Sequence, residues 1–272
     1  MTTAIATTER ESVSIAIGGM TIALHTHDPS FRSLIEKRYT GFAGSLQAPD
    51  FEFDVDLYET SEPIPSDHGL RVKIEKGEWL LQRGDFRARW NPADHYGYIR
   101  QTSNPYAFDS LLRVVHTLIL ARQGGFLIHA ASAIRGEKAF VFTGVSGAGK
   151  TTMCRLAPPD ATLLTDEISY VRREGNRYLA WGTPFAGELA RLGENQSARL
   201  SGVFLLEKGL ENRIEEVHPA EAVQRLMRNI LFFAEDPDSV ELVFQSACEF
   251  ASLVPIRRLI FVPDSRVWNL IS

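Results

Sequence analysis

The sequence predicts an α/β chain in which a smaller β-rich α+β domain, residues 1–103, precedes a larger α/β domain, residues 104–272. Three observations predict it. Up to about Asn104 and Pro105, short segments alternate apolar and polar residues with the period of two of half-buried strands. Beyond that point, longer helical stripes and continuous apolar runs take over. Between one such run and a helix lies a glycine-rich turn that ends in Gly149-Lys150-Thr151. A length of 272 residues is enough for one large domain or two small ones with a sizeable core.

In the leader, Ser14–Ala23 alternates around Gly18-Gly19, which predicts a hairpin. Asp28-Pro29-Ser30 is a helix start, and Phe31, Leu34, Ile35 and Tyr39 recur at helical spacing behind it. Phe51–Leu57 sets apolar against acidic residues, and Leu70–Ile74, Glu78–Gln82 and Phe86–Trp90 look like successive antiparallel strands. The proline-containing stretch Ser61–Gly69 is the expected mobile loop.

In the larger domain, Phe108, Leu111, Leu112, Val115, Leu118 and Ile119 form one helix face that ends near Gly124-Gly125. Phe126–Ile134 and Lys138–Thr143 are strands joined by Arg135-Gly136-Glu137. A short helix, Thr151–Leu156, stops at Pro158-Pro159. Strands are then expected at Thr162–Val171, Tyr178–Trp181, Gly202–Leu206, Arg213–Val217 and Leu259–Val262, with helices at Ala220–Phe233 and Val240–Leu253. Trp79, Trp90, Trp181 and Trp268 are expected in the core or at an interface.

Composition narrows the function. With 29 Lys plus Arg against 34 Asp plus Glu, the net charge is −5, so a general nucleic-acid binder is disfavoured, although a local basic patch stays open. The most apolar runs, such as Leu118–Ala121 and Ala139–Val145, are far shorter than a membrane span. The first residues, MTTAIATTERES, lack the apolar core of a secretory signal. Cys154 and Cys248 are too few for a disulfide framework and lack metal-ligand spacing, so a cytoplasmic setting is expected.

Gly144-Val145-Ser146-Gly147-Ala148-Gly149-Lys150-Thr151 matches G-x-x-x-x-G-K-[ST], with an apolar strand before it and a helix after it. Glycines there let successive N–H groups turn inward and cradle phosphate oxygens. Lys150 would bridge the β- and γ-phosphates of ATP, and Thr151 would place its hydroxyl on Mg2+. The alternative is a glycine-rich turn with a solvated lysine. Sixteen positions after Lys150, Asp166 and Glu167 close an apolar stretch. Strand neighbours point to opposite faces, so the two acids do different jobs unless the strand ends or kinks. Glu167 is assigned to the metal and Asp166 to the acceptor hydroxyl as general base; a solvated strand end is the competing reading. His129 falls opposite the residues before Gly144 if the two strands pair about their turn, either close to the phosphates or as a core histidine. Glu188 and Arg191 are candidates for contact with an acceptor or phosphate, or else for a helix-start cap.

Phe126-Leu127-Ile128-His129-Ala130-Ala131, Gly144–Thr152 and Leu164-Thr165-Asp166-Glu167 together resemble the carboxy-terminal kinase domain of HPr kinase/phosphorylase and its relatives. Those relatives include kinases of lasso-peptide and other ribosomal peptide pathways and, more distantly, ATP-dependent phosphoenolpyruvate carboxykinase. The resemblance covers residues 125–171 well and the carboxy terminus loosely. It implies a P-loop kinase core of the HPr kinase/phosphoenolpyruvate carboxykinase type. It also implies nucleotide contacts through Gly144–Thr152, a base at Asp166, a metal ligand at Glu167 and a functional His129. Asp166-Glu167 replaces the two aspartates of the bifunctional enzymes, and their later glycine-rich signature is missing, so phosphorylase activity is not expected. The leader resembles that of the smaller HPr-kinase-like proteins.

The leading expectation is an ATP- and Mg2+-dependent kinase acting on Ser or Thr of a peptide or small-protein acceptor, without nucleic-acid or membrane partners. A small-metabolite kinase and a nucleotide-binding regulator without phosphotransfer remain open. The leader's strands could take up an extended peptide at an open edge, cover a sheet or mediate a homo-oligomer.

Overall fold

A computed structural model describes residues 10–44, 48–59 and 69–271. The fold is α/β, built on two mixed sheets, and the chain divides into two compact units, Met1–Leu112 and Arg113–Ser272.

The first unit carries an eight-stranded sheet in the order β3-β1-β2-β4-β8-β7-β6-β5. Its strands are β1 (Glu11–Ile17), β2 (Met20–Thr26), β3 (Ala43–Gly44), β4 (Phe51–Leu57), β5 (Arg71–Glu75), β6 (Glu78–Arg83), β7 (Phe86–Asn91) and β8 (Tyr96–Gln101). Helix α1 (Pro29–Arg38) begins where expected, with the Asp28 side chain accepting from the Ser30 and Phe31 backbone N–H groups. Phe31 and Tyr39 pack edge-on against Phe108. Alternation buries Phe86, Ala88 and Trp90 of β7 and exposes Arg87 and Arg89. Strand β8 was not foreseen, because its inward positions are Gly97, Ile99 and Gln101, a weak apolar signal. Antiparallel pairing holds for β5 through β8, whereas β4 lies parallel to both β2 and β8. Of the expected mobile loop, Ser61–His68 lies outside the described residues, as does the amino-terminal stretch before Arg10.

The second unit begins at Arg113, within helix α2 (Pro105–Gln123). Its main sheet runs β10-β9-β12-β13-β14-β17-β15, with β10 also pairing β14 and with β11 and β16 pairing β9. The strands are β9 (Phe126–Arg135), β10 (Lys138–Thr143), β11 (Ala161–Thr165), β12 (Ile168–Glu174), β13 (Arg177–Trp181), β14 (Ser197–Lys208), β15 (Arg213–Glu216), β16 (Ile230–Leu231) and β17 (Ile256–Phe261). Helices α3 (Lys150–Arg155), α4 (Pro219–Met227) and α5 (Pro237–Leu253) and a 3-10 turn at Ser265–Leu270 complete it. Strand β10 serves two cores. Ala139 and Val141 join Phe126, Leu205 and Phe250 in one, while Phe140 and Phe142 join Met153, Phe204 and Trp268 in the other.

Two expected elements are corrected. The single strand over Thr162–Val171 is two strands, because the Thr165 hydroxyl accepts the Glu167 and Ile168 N–H groups and bends the chain at the acids. The helix over Ala220–Phe233 stops at Met227; the Asn229 amide caps the Arg225 carbonyl, and Ile230–Leu231 pairs with β9. Trp79, Trp90 and Trp268 are buried, and Trp181 is half-buried. Among the described residues no helix is long and apolar enough to cross a membrane.

Candidate functional site

The glycine-rich loop leaves the end of β10 and enters α3, so the local order strand, loop, helix is as the motif requires. Gly149 sits at φ 112° as the residue before the helix, and a β-carbon there would meet the Phe261 ring at 2.5 Å. Only glycine satisfies both the backbone angle and that contact. Val145, Ser146 and Gly147 are exposed at the tip, Ala148 is buried, and Thr151 and Thr152 are half-buried in the first turn of α3. The Lys150 ammonium folds back over the loop, donating to the Gly144 carbonyl at 3.1 Å and the Val145 carbonyl at 3.4 Å. Burial lowers its pKa, while the charges of Glu167 and Glu188 push it back up.

Strand β9 places His129 beside this loop. Thr143 pairs with Ala130, so His129 lies one step beyond, and the Thr143 hydroxyl donates to the His129 carbonyl at 2.9 Å. Its Nδ1 stands 3.6 Å from Glu167 Oε1, longer than a hydrogen bond. Burial lowers the imidazole pKa; Lys150 and Arg113 lower it further, and Glu167 opposes them. The ring is therefore neutral near pH 7, so the contact with Glu167 is not a charge pair there.

The bend between β11 and β12 sends the two acids different ways. Asp166 is buried, its Oδ1 accepting the Gly187 N–H at 2.9 Å and its Oδ2 the Leu189 N–H at 2.8 Å. Glu167 is half-buried and faces His129 and an open cleft of about 1060 Å³. Gly144, Val145, Ser146 and Arg113 also line that cleft. A β-carbon at Gly187 would stand 2.8 Å from Glu167 Oε2 and 3.0 Å from Asp166 Oδ2, so this glycine lets both carboxylates approach one turn of backbone.

Glu188 is exposed on the same loop, near enough to influence Lys150. No helix begins in that loop, so the cap reading of Glu188 and Arg191 falls away. Arg191 turns to Glu194 at 3.2 Å and lines a separate recess with Cys154 and Gln196. Two contributors escaped the sequence reading. Arg113 reaches the cleft from α2 with its guanidinium 4.9 Å from the Phe185 ring centre, and its only signal was an arginine flanked by Leu112 and Val114. Gly187, the second, gave none, because its need arises from acids twenty residues earlier.

Among the described residues no cluster of three or more His, Cys, Asp or Glu is arranged to hold a metal ion. A carboxylate and a hydroxyl suit Mg2+, which takes one or two protein oxygens and completes its shell with water and phosphate. Thr151 and Glu167 fit that pattern; a zinc-type site does not.

The family model for SynChlorMet cassette protein ScmC matches residues 106–272. A search of curated proteins gives no match. Among solved structures, the HPr(Ser) kinase/phosphatase from Coxiella burnetii is similar at 11% identity over 50% of this chain and 84% of that one, with a TM-score of 0.27.

Proposed function

The chain belongs to the family of SynChlorMet cassette protein ScmC, and from its glycine-rich loop we propose that it is an ATP- and Mg2+-dependent kinase whose acceptor is a hydroxyl, on Ser or Thr of a peptide or small protein. The family name specifies no reaction, so the proposal stands on the site. One observation carries it: Gly144, Val145 and Ser146 of the loop line a single open cleft together with His129 and Glu167, the chain neighbour of Asp166.

In this reading the loop N–H groups and Lys150 hold the β- and γ-phosphates, which means Lys150 exchanges its present carbonyl partners for phosphate oxygens. Thr151 and Glu167 hold Mg2+, which neutralises charge on the phosphates when bound. The acceptor oxygen bonds to the γ-phosphorus as the bond to the bridging oxygen of ADP breaks, and the hydroxyl proton passes to the Asp166 carboxylate. Both Asp166 oxygens already accept a backbone N–H, but each keeps a further lone pair for a proton. A neutral His129 can donate to Glu167 or to a phosphate oxygen without adding charge.

The same two backbone bonds favour a second reading of Asp166, as a clamp that positions the Gly187–Leu189 loop. Incubation with labelled ATP, Mg2+ and candidate acceptor peptides, read by mass increment, separates the two. As a base, Asp166→Asn loses transfer by at least a hundredfold while nucleotide binding persists. As a clamp, it loosens the loop and transfers at a rate that rises when the acceptor is supplied in excess. Lys150→Ala abolishes both binding and transfer. Absence of nucleotide binding by the unaltered protein would sink the proposal.

A further inference from the structure

The open face of the first unit's sheet carries a basic lattice unrelated to the nucleotide reading. Register across β5, β6, β7 and β8 aligns Arg71, Gln82, Arg87 and Arg100 in one row and Lys73, Leu80, Arg89 and Tyr98 in the next. All are exposed except the half-buried Leu80, and their strand neighbours Val72, Leu81, Ala88 and Ile99 are buried on the other side. Arg89 lies over the Tyr98 ring at 4.6 Å, and Arg100 reaches Asp56 at 3.5 Å. Arg71, Lys73 and Arg87 have no ion-pair partner among the described residues. A cleft of about 1050 Å³ opens over the β6–β8 part of this face, with Arg87, Arg89 and Arg100 on one side and Asp28, Asp54 and Asp56 also in its lining.

We infer that this face binds an extended acidic peptide segment whose carboxylates are spaced two residues apart. The spacing is dictated by geometry. Successive outward residues of a strand are about 7 Å apart, and so are alternate side chains of an extended peptide lying along it. Carboxylates at i and i+2 then fall one on each row, where arginine forks can take them bidentately. Tyr98 and Leu80, in the second row, offer apolar contact to the methylene stem of the acidic side chain that falls there. Three strand spacings, about 14 Å, separate β5 from β8, so the face is wide enough for the peptide to lie along any of these strands with cations on either side. A continuous polyanion fits poorly, because β4 next to β8 sets Asp54 and Asp56 in register with Tyr98 and Arg100 on the same face. Peptide rather than nucleic acid is thus the partner that the charge pattern suits.

Fluorescence anisotropy on the full chain without nucleotide tests this, using a labelled octapeptide with glutamate at alternate positions, its glutamine counterpart and a ten-nucleotide oligothymidine. The glutamate peptide is expected to bind at least tenfold more tightly than the glutamine peptide and to weaken as salt rises. The pair Arg87→Glu and Arg89→Glu should lower its affinity at least tenfold and bring gain of binding to a lysine octapeptide. Should that pair misfold, Arg71→Gln with Lys73→Gln serves instead, with a three- to tenfold loss expected. Equal affinity for the glutamine peptide, indifference to these substitutions, or tighter binding of oligothymidine would overturn the inference. Lys150→Ala leaves peptide binding unchanged, so failure of the kinase reading and failure of this one are separable.

Discussion

The two sheets bury their strands differently, and the difference decides where each unit presents chemistry. In β7 every second residue is buried, and the remainder, Arg87 and Arg89, face solvent. In β10 five consecutive residues, Ala139–Thr143, are buried because cores lie on both faces. A sheet with one wet face can carry a recognition surface across its strands. A sheet covered on both sides has nothing to offer except strand ends, and there β10 gives way to the loop and β14 ends at Lys208.

Paired substitutions on neighbouring strand positions would sharpen or break this contrast. The largest effect is expected at Phe142→Ala, about 4 kcal/mol, with Val141→Ala beside it still costing about 2 kcal/mol. Urea unfolding measures both, and a negligible cost at either position would refute two-sided burial. In β7 the same walk should cost about 4 kcal/mol at Trp90→Ala and under about 0.5 kcal/mol at Arg89→Ser.

Acid should act through the second unit next. His116 on α2 is fully buried, and burial pushes its pKa down to about 3. The unfolded chain takes up that proton near pH 6.5 and the folded one only near 3, so its contribution is complete above pH 6.5 and is lost as pH falls between them. At pH 4 the loss is about 3 kcal/mol. The stability difference between pH 7 and pH 4 should shrink by about 3 kcal/mol in His116→Gln, with His129, shifted in the same direction, keeping part of the remainder.

Gly149→Ala should cost about 2 kcal/mol, through its positive φ and the Phe261 ring, and should weaken nucleotide binding with it. Thiol labelling gives the smallest readout. Burial raises the Cys154 pKa to about 12, with Asp166 adding to it, whereas Cys248 is exposed. One thiol should react in the folded protein and two after denaturation.

Much of the local structure was legible. The Asp28 cap, the Gly18-Gly19 hairpin, the β9–β10 hairpin and the strand–loop–helix around Lys150 each depend on residues a few positions apart. Strand β8 was missed because its inward side is Gly97, Ile99 and Gln101, and Gly97 is required only by residues distant in sequence, the Phe53 ring and the Arg89 carbonyl, 2.6 and 2.7 Å from where a β-carbon would stand. The bend at Asp166-Glu167 and the early end of α4 were missed for a related reason. Thr165 and Asn229 redirect backbone hydrogen bonds with their side chains, against the apolar pattern.

By itself, then, the sequence determined most of the elements, the strand–loop–helix order around Lys150 and the place of the acids along the chain, since periodicity, caps and glycine requirements act within one or two turns of chain. Tertiary structure alone decided that β4 runs parallel to β2 and β8, that Gly187 and Leu189 satisfy Asp166, that Arg113 enters the cleft, and that five cations share two rows of one face. Each of these joins residues distant along the chain. Their proximity rests on loop closure and strand register, which are fixed by the summed burial of both sheets and by no local propensity.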